Sequence, residues 1–142
     1  MRKGVIRPIV ICVFRNNEFI LVAEGKDPKS GEYYYRPIGG GIEYGERSSE
    51  ALIREVKEEL GADICNLQLL GTVENIFTYN GDLGHEIVQV YDAQFIDRKF
   101  YNRETFSGIE DDGTQFKVMW KTITEFKQGT LKLVPEEIHD LL

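Results

Sequence analysis

The stretch GGGIEYGERSSEALIREVKEELG, residues 39–61, changes character part-way along. Its opening Gly39-Gly40-Gly41 reads as a loop, because three consecutive glycines are costly inside any regular element. From Arg47 to Leu60 the pattern is helical, with Ser48 or Ser49 placed to cap the first turn and Gly61 suited to the left-handed backbone that ends a helix. Each helical residue advances about 100°, so Glu55, Glu58 and Glu59 fall within a sector of roughly 100°. Leu52, Ile53, Val56 and Leu60 occupy a neighbouring arc. The expectation is a helix that grips the core with the apolar arc and turns the acidic one outward.

A solvated surface helix would carry the same residues, since Glu is a good helix former. Like charges at i, i+3 and i+4 nevertheless repel by about a few tenths of a kcal/mol per pair, and only Arg54 and Lys57 offer cations nearby. A divalent ion would turn that repulsion into coordination. Hard carboxylate oxygens suit Mg²⁺ or Mn²⁺, which often bridge a carboxylate site to substrate phosphates.

Taken together, the spacing is specific. Gly40, five residues, Glu46, seven residues, Arg54-Glu55-Val56, one residue, Glu58-Glu59, one residue and Gly61 closely resemble the Nudix box of the MutT-type hydrolases. The final aliphatic position is Ala62, a small departure that removes no ligand. The resemblance implies an α+β chain with the Nudix fold, an α/β/α sandwich around a mixed sheet. It implies that Glu55, Glu58 and Glu59 bind metal and supply the base, joined by the backbone carbonyl of Gly39. It also implies that Gly40, Glu46, Arg54 and Gly61 support them, with Glu46 and Arg54 paired to brace the loop against the helix. The reaction implied is Mg²⁺-dependent (Mn²⁺ as an option) hydrolysis of a pyrophosphate bond in a nucleoside diphosphate linked to another moiety, by water attack at phosphorus.

Outward from this stretch, residues 5–14 and 19–23 read as two strands joined through Asn16-Asn17. Residues 25–31 are turn-rich, and Tyr33-Tyr34-Tyr35 reads as a short strand ending at Pro37. Residues 67–77 and 87–95 read as strands around a loop at 79–84, in which Asn80-Gly81 is a strong turn signal. Residues 100–114 read as a polar loop before a last strand at 116–120, and 123–142 as one or two short helices with Pro135 in a first turn. No repeat or linker interrupts this order, so residues 1–142 read as one domain.

Several residues outside the box are candidates for the substrate. Arg36 offers bidentate contacts to phosphate, and Tyr79, Trp120 and the Tyr33-Tyr34-Tyr35 run offer faces to a base. Tyr79 also lies near the position where some dinucleoside-polyphosphate members carry a tyrosine. Glu86, or Glu110-Asp111-Asp112, is a candidate for a further acidic ligand, and His85 reads as a packed histidine.

With 142 residues and a formal charge of −7, the chain is poorly suited to coating a nucleic-acid polymer. The expected partner is a small nucleotide-like molecule, held with help from a metal ion. Cys12 and Cys65 show no metal-site spacing and read as reduced packing residues. No signal-length or membrane-length apolar run occurs, which makes the cytoplasm the expected location, and relatives' habits lean toward a homodimer. Two other functions fit less well. A catalytically silent nucleotide-binding or sensing Nudix module would have lost box glutamates, and an isoprenyl diphosphate isomerase would use additional Cys and Glu residues near the box.

Overall fold

The computed structural model describes residues 3–142. Strand β1 (Ile6–Cys12) comes from the apolar run, whose alternate residues feed two cores. Val10, Cys12 and Phe14 point to one face of the sheet, whereas Ile9, Ile11 and Val13 point to the other. A strand covered on both faces needs no polar alternation, which is why the run reads as continuously hydrophobic. Strands β2 (Arg15–Asn16) and β3 (Phe19–Lys26) follow, with Asn17 at φ 56° in the turn between them.

The chain continues through β4 (Tyr33–Gly41), α1 (Ser48–Leu60), β5 (Ile64–Tyr79), β6 (Asp82–Phe95), α2 (Lys99–Asn102), β7 (Thr105–Ile109), β8 (Gln115–Thr122) and α3 (Ile123–Lys127), and then a 3-10 helix, Glu136–Leu141. The strand order is β5-β6-β1-β4-β3-β8-β7, with β2 paired to β3. Among the described strands only β1 and β6 pair in parallel, so the sheet is mixed. Helix α1 packs Leu52 and Val56 against the face carrying Val10 and Cys12. Phe126 of α3, Leu133 and Ile138 of the 3-10 helix cover the opposite face with Val88 and Val90. These are the layers of the α/β/α sandwich.

Several sequence expectations change. The glycine triplet is the end of β4, with Ile9, Val10 and Ile11 of β1 opposite Gly41, Gly40 and Gly39. Packing explains why glycine is tolerated there: a Cβ on Gly39 would collide with the Val10 carbonyl oxygen, and one on Gly40 with the Glu55 carboxylate. The 79–84 loop shrinks to the turn Asn80-Gly81, at φ 52° and 80°, which lets both flanking strands run longer. Residues 100–114 hold most of α2 and all of β7. β7 is an edge strand, with solvent on one side, so its polar residues hid it. The α1 cap is Arg47, whose backbone N–H donates to Glu50 at 2.9 Å, while the Ser48 hydroxyl bonds that of Tyr91 at 2.6 Å. Pro135 caps the 3-10 helix from outside its first turn. Cys12 is buried, Cys65 half-buried, and both are free; burial pushes the Cys12 thiol well up.

Candidate active site

Helix α1 is rolled relative to the sequence expectation. Glu59 is only 7% exposed, whereas Ile53 is 46% exposed. Positions 52, 56 and 59 follow the i, i+4, i+7 rule, so a core-facing stripe centred on Leu52 sweeps Glu59 in and leaves Ile53 at the rim. Helical spacing fixed the angles between these residues but not the centre of the buried arc. Of the three glutamates, Glu58 alone looks outward, as expected.

Arg54 organises the cluster. Its Nε and Nη2 donate to the two oxygens of Glu46 at 2.8 and 2.9 Å, a bidentate pair. Nη2 also donates to the Gly41 carbonyl at 2.9 Å, and Nη1 to Glu55 at 2.9 Å and Glu58 at 3.3 Å. One guanidinium thus ties the segment after β4 to the helix. These bonds, with that from the Glu43 N–H, hold the Glu46 carboxyl down to about 2 and hold Arg54 firmly protonated. Gly61 ends α1 at φ 66°, its N–H bonded to the Lys57 carbonyl.

Glu55 lies against Gly40, and burial raises its carboxyl despite the Arg54 contact. Glu59 is pushed up to about 9, first by burial and then by the adjacent Glu55, with Arg36 opposing. Glu59 Oε1 is buried and has no hydrogen-bond partner among the described residues. No three acidic, His or Cys side chains among the described residues are grouped for a metal ion. The donors are nevertheless hard oxygens, and a buried carboxylate pair with one orphaned oxygen is what a cation would relieve. Those residues fit such an ion.

The strand register adds a further oxygen. The Ile42 N–H donates to the Pro8 carbonyl, so the ladder alternation puts Gly39, opposite Ile11, at a non-bonded position. Its carbonyl therefore lies off the β1 ladder, and the β3 pairing of β4 has already stopped at Pro37.

The candidates outside the box divide. Arg36 shares a face of β4 with Gly40, pairs with Glu110 at 3.3 Å, and stands close enough to act on Glu59. Glu110 is thus the member of the acidic triplet that stands beside Arg36. Tyr79 lies 6.3 Å from Tyr34, centroid to centroid, near-perpendicular to it. Glu86 is elsewhere: it pairs with Arg7 and Asn75 on the sheet face bearing Val88, turned away from α1. Trp120 is buried and donates to the Phe100 carbonyl, as a core residue should. His85 is half-buried on β6. Sequence reading missed Glu43, 3.8 Å from Arg54, and the loop residue Asp27, one of whose partners, Asn80, lies 53 residues away.

Among the described residues no helix is long and apolar enough to cross a membrane. The chain is 39% identical over 67 residues to the NAD-capped RNA hydrolase NudC of Vibrio atlanticus (strain LGP32), covering 47% of this chain and 24% of that protein. It is 38% identical over 68 residues to the 8-oxo-dGTP diphosphatase of Proteus vulgaris, covering 48% of this chain and 59% of the relative. The aligned region thus spans about a quarter of the first relative and less than two thirds of the second. In fold the chain is similar to the NUDIX hydrolase from Nitrosomonas europaea, with a TM-score of 0.62 at 18% identity over 96% of this chain and 86% of that one. A family model described as NUDIX domain matches residues 5–141, and by that match the chain belongs to the Nudix family.

Proposed function

We propose that this chain hydrolyses a pyrophosphate bond in a nucleoside diphosphate linked to another moiety, using a divalent cation held by Glu55, Glu58, Glu59 and the Gly39 carbonyl. The observation that carries the reading is Glu59, a buried carboxyl beside Glu55 with an unpartnered oxygen. Such an arrangement costs stability and is retained where it does chemistry. One named relative is a hydrolase of NAD-capped RNA and the other an 8-oxo-dGTP diphosphatase, which supports the reading at the level of reaction class.

Bound Mg²⁺ or Mn²⁺ supplies charge neutralisation for the diphosphate and acidifies water. The protein does the rest. Arg54 holds Glu46, Glu55 and Glu58 in fixed relation to the end of β4, so the carboxylates are oriented before substrate arrives. One of the three box carboxylates takes a proton from the attacking water as the new P–O bond forms and the bridging P–O bond breaks. Arg36 faces the same site and offers a guanidinium to the phosphate.

The acidic chain supports a small-molecule substrate over a polymer. We take residues 1–142 as a single cytoplasmic domain that pairs as a homodimer. The test is a phosphate- and nucleotide-release screen with Mg²⁺ over modified nucleoside triphosphates, dinucleoside polyphosphates, ADP-ribose, nucleotide sugars and NADH. Glu58→Gln is run beside the wild type. A preference that the variant loses establishes the activity; silence across the panel, with nucleotide binding retained, turns the reading to a sensing module.

A further inference from the structure

Two hairpin ends meet at one carboxylate. Asp27, after β3, accepts the N–H groups of Lys29 at 2.9 Å and Ser30 at 3.3 Å, which shape its own loop. It also accepts the N–H of Asn80 at 3.2 Å, from the β5–β6 turn 53 residues away. Beside this junction the Tyr34 ring lies across Gly25, whose missing side chain makes room for it, and meets Tyr79 edge to face. Tyr34 is two residues from Arg36 on the same face of β4, the face that continues through Ile38 to Gly40 and Glu55. One strand repeat, about 7 Å, therefore separates an aromatic pair from the arginine at the carboxylate cluster.

We propose that Asp27 is a positioning residue: by gathering these amides it holds Tyr79 against Tyr34 and builds a seat for the flat base of a nucleotide whose phosphate reaches Arg36. This inference rests on the pyrophosphatase reading for its ligand. A phosphate at Arg36 leaves a sugar to span the interval and a base to arrive at the tyrosines, where aromatic faces and edges accept any base.

The experiment titrates the full chain, with Mg²⁺, against adenosine 5′-monophosphate, guanosine 5′-monophosphate and ribose 5-phosphate, following affinity and the Tyr34 and Tyr79 ring resonances. Wild type should bind the two nucleotides about tenfold more tightly than the base-free sugar phosphate, the scale of one stacked base. Asp27→Ala should erase that preference while leaving ribose 5-phosphate affinity within about twofold, a change small on the scale of one stacked base. Asp27→Asn, which keeps an acceptor oxygen, should restore most of it. Tyr79→Leu, on the exposed hairpin end, should match Asp27→Ala and serves should that variant fold poorly. Equal wild-type affinity for all three ligands, or a base preference untouched by Asp27→Ala and Tyr79→Leu, overturns the proposal. Hydrolysis measured on the same proteins separates the two ideas: turnover with no base preference defeats only the seat, and base preference without turnover defeats only the enzyme.

Discussion

The carboxyl group of Glu55 occupies the space in which a side chain on Gly40 would have to stand. Strand end and helix are that close because Arg54 bonds both Glu55 and the carbonyl of the next residue, Gly41. Gly40→Ala should therefore displace Glu55 and lower kcat by at least about tenfold, since small misplacements of catalytic groups are costly. An unchanged rate would show that Glu55 has freedom the packing does not suggest.

Glu59→Gln tests the buried carboxyl through stability. Below its ordinary value of 4.5, Glu59 is protonated in both folded and unfolded chains. Between 4.5 and about 9 the unfolded chain gives up the proton while the folded one keeps it, so this group's contribution falls as pH rises, and it levels off above about 9. Without metal, the variant should be more stable than wild type at pH 8, by up to about 5 kcal/mol, with the gap closing toward pH 4.5. Melting curves across that range check the sign; a wild type that is the more stable at pH 8 contradicts it.

Arg54→Lys keeps the charge and loses the planar fork. The bidentate contact with Glu46 and the simultaneous reach to Gly41, Glu55 and Glu58 cannot all survive on one ammonium. Turnover should fall by about tenfold or more with a modest loss of melting temperature. Wild-type kinetics in the lysine variant would reduce Arg54 to a simple counter-charge.

The roll of α1 is checked by paired substitutions. Val56→Asp buries a charge in the core and should unfold the domain, whereas Ile53→Asp, at the rim, should change stability by no more than about 0.5 kcal/mol. Circular dichroism and melting would reveal any reversal.

Metal dependence completes the set. EDTA should abolish hydrolysis and Mg²⁺ or Mn²⁺ restore it, and either ion should raise the wild-type melting temperature more than that of Glu59→Gln. Full activity in chelator would remove the cation from the mechanism.

The sequence by itself determined the helix read at 47–60, its glycine end and the apolar strand read at 5–14, whereas the Glu46–Arg54 pair was implied by the family resemblance. The helix, its end and the strand are local, set by the pattern along one element. Tertiary structure decided the rest. Whether Gly39, Gly40 and Gly41 form loop or strand depends on β1 and Glu55 crowding them, which intrinsic glycine propensity cannot register. The edge strand β7 has too few buried side chains to announce itself. Which glutamate is buried depends on where the sheet lies beneath α1: spacing gives the angles between side chains, but only packing chooses the side that faces the core. Arg36 with Glu110, 74 residues apart, and Asp27 with Asn80, 53 apart, are juxtaposed by sheet topology, and no local pattern encodes such pairs.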